Sequence, residues 1–286
     1  MAIVMQTTPE QILKEVKSLP SVPGIAGKLL YMLNSADTSA NQIENSLRQD
    51  PGLTTNVLKL ANSSYFGFAA RIGSIKQATV LLGFKRLIRI VMASCVNAVL
   101  NRPIPGYDLS PGELWRHSIA VSVAAEGLMK MLKLPDSDMV FTAALLHDVG
   151  KLVLGDYVSQ SIDDIEKVAA EGGSFEKAVR QVIGTDHAEI GAMILKEWSF
   201  PDDLIKVARW HHSPDESEGK SAVLDVVHVA NLVCMMMGIG SGREELRQEP
   251  SPLAIKRLGI KTKHIETIVS QTLQWMNELN NVFSSK

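Results

Sequence analysis

The chain has 286 residues, 45% of them hydrophobic and 21% charged, with a formal net charge of -2. That is ordinary globular composition, with material for one large core or two lobes. It excludes a charged disordered tail, and it lacks the basic excess of nucleic-acid binders, so no nucleic-acid partner is expected. Lys85, Arg86 and Arg89 make a local cationic cluster that reads as a solvated helix face. Cys95 and Cys234 are the only cysteines, and each sits in an apolar run. They read as buried thiols of a reducing compartment, not a disulfide framework. The N-terminus shows no basic region followed by an apolar core, so no signal peptide is expected. The most apolar stretch, 223–237, contains Asp225, His228 and Asn231. It is also shorter than the roughly 20 residues that span a bilayer. The expectation is a cytoplasmic protein with no membrane partner.

Strand signals are scarce: aromatic content is 5%, and neither an Asn-Gly nor an Asp-Gly turn occurs. Helix signals recur along the chain. Ser39 with Gln42 and Ser74 with Gln77 form capping-box patterns, and Asp50-Pro51 places an acceptor before a first-turn proline. Asn62 reads as a helix C-cap, with the lining of an interlobe cleft as its functional alternative. Gly83 marks a stop, and Ser110-Pro111-Gly112-Glu113 marks a start. Pro135 follows a stop after Leu134, Asp186 with Glu189 opens a further helix, and Pro214 and Gly238 close two more. The fold class expected is all-α, with about a dozen helices of modest length. The stretch 101–106, Asn-Arg-Pro-Ile-Pro-Gly, disfavours helix and reads as a linker. Three regions follow: an N-terminal helical lobe over 1–105, a second helical lobe over 106–240, and a C-terminal helical extension over 241–286 beyond the break at Ser241-Gly242.

Chemistry concentrates in the second lobe. Five of the seven histidines fall there at functional-looking positions: His117, His147, His187, His211 and His212. Read as one helix, Ala143, Ala144, His147 and Lys151 share a face, and small residues beside His147 admit a neighbouring helix. Adjacent helical side chains diverge by roughly 100°, so His147 and Asp148 can straddle an ion. His187 follows the Asp186 cap, His211-His212 ends the helix opened by Pro201, and His117 lies in the first turns after Ser110. Imidazole plus carboxylate suits a divalent Fe, Mn, Zn or Ni ion. Lys151 is either a phosphate contact or a solvated lysine. His228 and His264 read as hydrogen-bonded structural histidines, Asp225 as a helix N-terminal charge, and Met235-Met236-Met237 as core packing.

The ordered set His117, His147-Asp148, His187, His211-His212 resembles the H…HD…H…HH pattern of the HD superfamily of metal-dependent phosphohydrolases. Asp148-Val149-Gly150-Lys151 is similar to the HD-x-GK form of its HD-GYP branch. Leu19-Pro20-Ser21-Val22-Pro23, Gln49-Asp50-Pro51-Gly52-Leu53-Thr54, Val57 through Ser63, and Ile75-Lys76-Gln77-Ala78 with Leu81-Leu82-Gly83 resemble the hallmarks of the HDOD domain. The likeness covers roughly residues 10–235. It implies a two-lobed helical architecture of the HDOD and HD type. It also implies a metal centre at His117, His147, Asp148, His187, His211 and His212.

Two departures from the hydrolase pattern stand out. The superfamily's last ligand is an aspartate after alanine, whereas this chain reads Ala230-Asn231, a degenerate ligand position. A neutral amide there lowers charge compensation for a cation. The segment after His212, Ser213-Pro214-Asp215-Glu216, carries no Gly-Tyr-Pro. HDOD domains are regarded as regulatory relatives of HD hydrolases in bacterial signalling. The resemblance therefore implies a signalling module acting through a protein partner. The alternatives are a metal-dependent phosphohydrolase acting on a nucleotide or small phosphate ester, with Lys151 stabilising phosphate charge, and a sensor that binds a nucleotide ligand.

Overall fold

The computed structural model describes residues 8–15, 40–47, 50–62, 72–135, 139–240, 242–244 and 248–284. Among these, every regular element is helical, and one isolated bridge joins Ile104 to Leu109. The motif Leu19-Pro20-Ser21-Val22-Pro23, the Ser39 cap, Gln49, Ser63 and Ser241 lie outside the described residues. The chain divides into two compact units, Met1–Pro20 with Leu100–Val269, and Ser21–Val99 with Ser270–Lys286. Among the described residues, no helix is long and apolar enough to cross a membrane.

Helix α1 (Pro9–Glu15) belongs to the first unit; α2 (Ala40–Leu47), α3 (Pro51–Ala61), α4 (Ile75–Leu82) and α5 (Phe84–Leu100) build the second. Local chemistry sets their ends. Asp50 Oδ1 accepts from Leu53 N–H at 2.8 Å, with Pro51 opening α3. Asn62 closes it: its Nδ2 donates to Leu58 O at 2.7 Å and to Ile72 O at 2.8 Å, while its Oδ1 accepts from Ile72 N–H at 2.7 Å. Asn62 is thus a structural clamp, as the C-cap reading expects. Ser74 Oγ accepts from Gln77 N–H, and Gln77 Oε1 accepts from Gly73 N–H, a capping-box-like exchange in which the glutamine reaches one residue beyond the cap. Leu53, Val57 and Leu60 turn one apolar stripe of α3 inward, as do Ile75, Ala78 and Leu82 of α4. Burying each leucine or valine contributes roughly 1.5–3 kcal/mol before chain entropy is charged. The Cys95 thiol is buried, which pushes its pKa up to about 12, and it is unbridged, as is Cys234.

The first unit is wound around α6 (Glu113–Met131), α7 (Val140–Leu146), α8 (Lys151–Gln160), α9 (Ile162–Ala170), α10 (Phe175–Ile183), α11 (His187–Glu197), α12 (Asp202–Trp210) and α13 (Ala222–Met236). Helix α14 (Pro252–Leu258) follows, and α15 (Thr262–Ser284) has residues in both units. Every residue of α13 from Leu224 to Met235 is buried. A helix covered all round lies inside the core, so each polar side chain on it needs a partner. Alanines and serines of α6, with Ala143 and Ala144 of α7, let these helices pack closely together.

Three local expectations are corrected. Helix α6 is capped by Gly112 at φ 84°, not by Ser110; Glu113 instead reaches back to accept from Ser110 N–H at 2.5 Å. The Met235-Met236-Met237 run is not all core, since Met236 is 70% exposed where α13 ends. The His-Asp segment is not inside a continuous helix. Helix α7 stops at Leu146, and contacts from Val149 N–H to Leu146 O and from Lys151 N–H to Asp148 O tighten the chain into i→i+3 turns before α8 begins.

Candidate metal centre

That tightened turn places Asp148 among the histidines. Gly150 makes the approach possible: a Cβ there would lie 1.9 Å from the His187 carbonyl oxygen and 2.6 Å from Gly191 N. With glycine, the turn sits directly on the start of α11. The Asp186 cap, whose Oδ1 accepts from Glu189 N–H at 2.8 Å, fixes that start. Arg180 braces it further, donating to Asp186 at 2.7 Å and to Glu189 at 2.8 Å.

The carboxylate of Asp148 has two distinct sides. Near Oδ1 lie His187 Nε2 at 3.2 Å and His211 Nε2 at 3.5 Å. His187 Nε2 is in turn 3.4 Å from His211 Nε2 and 2.9 Å from His212 Nε2. Near Oδ2 lie His147 Nε2 at 3.4 Å, His117 Nε2 at 3.6 Å and the Lys151 ammonium at 2.7 Å. Asp148, His187, His211 and His212 form one group able to share an ion; His117, His147 and Asp148 form another. Apart from the half-buried His212, all these residues are at most 1% exposed.

Backbone carbonyls fix the tautomers. His117 Nδ1 meets Ile239 O at 2.7 Å, His147 Nδ1 meets Ala144 O at 2.6 Å, and His211 Nδ1 meets Ala208 O at 2.9 Å. A carbonyl only accepts, so each Nδ1 carries the proton and each Nε2 presents a lone pair inward. Lone pairs therefore face a carboxylate, acceptor against acceptor. His147 Nε2 and Asp148 Oδ1 are buried with no hydrogen-bond partner. Atoms bound to one ion at about 2.0–2.1 Å lie about 2.9–3.4 Å apart along the edges of an octahedron or tetrahedron. The spacings around Oδ1 are close to that range, so the donor set fits a metal ion, and its second-sphere carbonyl contacts are those ligand imidazoles need.

Burial lowers the basicity of these rings. It holds His147 and His212 well below the usual imidazole range and lowers His117 and His211 as well. For Asp148, burial pushes upward, but its electrostatic interactions with the neighbouring His147 ring and the Lys151 ammonium outweigh it and keep the carboxyl well below the ordinary range.

The remaining predicted residues separate clearly. Lys151 is 1% exposed and committed to Asp148, with its Nζ 5.5 Å from the Tyr107 ring centroid, so the solvated reading is overturned. Asn231 lies at the centre, its Oδ1 2.9 Å from His117 Nε2. Because that nitrogen carries a lone pair, an amide turned to present its N–H₂ satisfies it. His228 stands outside the cluster as a satisfied core histidine: its Nδ1–H donates to His211 O at 2.7 Å and its Nε2 accepts from Ser251 N–H at 3.0 Å. His264 Nδ1 accepts from Lys261 N–H in the same structural spirit.

Several contacts escape sequence reasoning. Gln248 reaches His212 Nδ1, Ile239 supplies the carbonyl for His117, and Tyr107 sets its ring edge-on to His187 with centroids 5.8 Å apart. None carries a spacing signal, because each comes from a distant segment. His212 and Gln248 also line a cleft of about 890 Å³, together with Ser174, Lys177, Arg209 and Trp210. His212 thus joins the cluster to an open volume of ligand size.

Known proteins resemble this chain over most of its length. An uncharacterised protein of Treponema pallidum (strain Nichols) is 26% identical over 270 residues, covering 92% of this chain and 50% of that protein. The chain thus spans about half the length of that relative. The crystal structure of an HDOD domain protein of unknown function from Geobacter sulfurreducens matches with a TM-score of 0.74 at 24% identity, covering 97% of this chain and 93% of that one. A Shewanella amazonensis protein with a provisional phosphohydrolase name matches with a TM-score of 0.65 at 24% identity, covering 91% and 97%. At these identities the structures speak for the fold alone. The HDOD domain matches residues 19–214, well over half of the sequence, and the chain belongs to the HDOD domain family.

Proposed function

We propose that this chain is a regulatory module of bacterial signal transduction. In this reading it carries a degenerate HD-type metal centre and acts through contacts with a partner signalling protein. The observation that carries the reading is the Asn231–His117 contact at 2.9 Å, where the hydrolase pattern has an anionic ligand. Asp148 is then the one carboxylate in either donor group, and Lys151 already pairs with it. The histidine–carboxylate set suits a first-row divalent ion such as Fe, Mn, Zn or Ni, held by His187, His211, His212 and Asp148. When bound, such an ion supplies Lewis acidity and a lowered water pKa. The protein's own residues here hold and orient lone pairs within a buried shell, with only His212 reaching the cleft.

The test is turnover by metal-loaded protein on a panel of nucleotides and simple phosphoesters. The expected result is no rate above free metal. Turnover that vanishes in His147→Ala overturns the reading. One observation favours a second reading, a phosphohydrolase or nucleotide sensor: the cleft of about 890 Å³ that shares His212 with the cluster. Calorimetry against cyclic dinucleotides and guanosine polyphosphates tests ligand binding there.

A further inference from the structure

We infer that the centre takes a single metal ion, on the Oδ1 side of Asp148, because Lys151 and Asn231 close the Oδ2 side. The inference rests on the metal-binding reading above and names which half of the cluster is used.

The two sides of the carboxylate start from similar histidine spacings and differ in what else is present. On the Oδ2 side, the Lys151 ammonium sits 2.7 Å from the oxygen and is itself 1% exposed. It stands where a second cation would have to compete, and two like charges at such range repel strongly in a dry site. His117 Nε2 faces Asn231 at 2.9 Å, so its lone pair has a protein partner. Only His147 Nε2 remains without one on that side. On the Oδ1 side no cationic side chain intervenes among the described residues. Oδ1 itself lacks a hydrogen bond, and the Nε2 atoms of His187 and His211 lie 3.2 and 3.5 Å from it. His212 adds a third nitrogen, 2.9 Å from His187 Nε2.

Charge leads to the same answer. Asp148 is the single carboxylate of both donor groups, and Lys151 offsets it. One divalent ion leaves a net buried charge of about +2, which solvent at the His212 end can temper; two would leave about +4 with no second anion to meet them. An aspartate at 231 would supply that anion, and this chain has asparagine.

The experiment is a titration of the full chain with Mn²⁺ and, separately, Co²⁺. Bound metal is counted by elemental analysis after desalting, and the Mn²⁺ spin-resonance spectrum is recorded. One equivalent per chain with an uncoupled six-line Mn²⁺ signal is expected. Two equivalents or a spin-coupled pair overturns the inference while leaving the metal reading intact. No bound metal overturns both.

Two variants locate the ion. His117→Ala is expected to keep one equivalent with affinity within about threefold, and His211→Ala to weaken it by about a hundredfold. The reverse order overturns the inference. Asn231→Asp, with folding checked by circular dichroism, is expected to gain uptake of a second ion. If a variant fails to fold, the wild-type stoichiometry and spin spectrum still decide.

Discussion

Two polar clusters in the first unit are built on opposite principles. Around Arg257, donors and acceptors match. Its Nε and one terminal nitrogen pair with both oxygens of Asp225 at 2.7 and 2.6 Å, and the other terminal nitrogen pairs with Asp215 at 2.9 Å. Ser251 bridges to Asp215 and caps α14. Around Asp148, acceptors outnumber donors: inward lone pairs from His147 and His211 converge on a carboxylate whose one cationic partner at hydrogen-bonding distance, among the described residues, is Lys151. A balanced cluster ties a helix down. An unbalanced one, left with buried unpartnered atoms, is arranged for something that the side chains do not themselves supply.

The contrast breaks most visibly at Asp148. Asp148→Ala leaves Lys151 buried without its carboxylate, so a loss of about 3–5 kcal/mol in urea unfolding is expected. A change under about 1 kcal/mol would show that the pair is not buried in solution.

Acid acts on the same imbalance. Burial lowers the pKa values of His117, His147, His211 and His212 below the ordinary 6.5. The unfolded chain therefore binds protons first as pH falls. The stability these rings contribute is full above about pH 6.5 and is lost as pH drops through their folded values. The melting temperature of metal-free protein should fall between pH 7.5 and 5.5. A flat or rising profile contradicts the geometry.

Adding the missing charge should help. With Zn²⁺ or Mn²⁺ at about a hundred times its dissociation constant, stability should rise by about 2.7 kcal/mol and return to baseline with chelator. An unchanged melting curve counts against a metal site.

Gly150→Ala tests how the centre is assembled. Its Cβ would meet the His187 carbonyl at 1.9 Å, so the turn must move away from α11 at a cost of about 1–3 kcal/mol. Metal affinity should fall with it. A variant with unchanged stability and metal uptake would falsify the close approach.

The smallest effect belongs to the balanced cluster. Arg257 is 26% exposed, so solvent screens its pair with Asp215, but Asp225 is only 5% exposed. Arg257→Ala is expected to cost about 1–2 kcal/mol, with metal stoichiometry unchanged. Loss of metal in this variant would join the two clusters that are separated here.

What the sequence makes legible is what local chemistry decides. The caps at Asp50, Ser74 and Asp186, the stops at Gly83 and Gly238, and the Asn62 clamp each depend on residues within a few positions, apart from the Ile72 contact. The order of histidines also survives, because His187 and His211 sit at helix ends where sequence marks the boundary. The His147-Asp148 turn is less legible. Alanine and leucine before it continue a helical pattern, and only the fit of Gly150 against His187 shows why the chain tightens there. Lys151 illustrates the same limit: a lysine one turn from His147 reads as either a phosphate contact or a solvated side chain until its burial against Asp148 and Tyr107 is known. Gln248 and the Ile239 carbonyl come from segments with no pattern linking them to His212 or His117, so tertiary packing alone brings them in.

The most direct test of the whole account is X-ray absorption at the zinc edge of protein loaded with one equivalent of Zn²⁺. Scattering from about three imidazoles with one oxygen ligand is expected, matching His187, His211, His212 and Asp148. A spectrum with no imidazole scattering, or with sulfur ligands, contradicts convergence of these rings on Asp148.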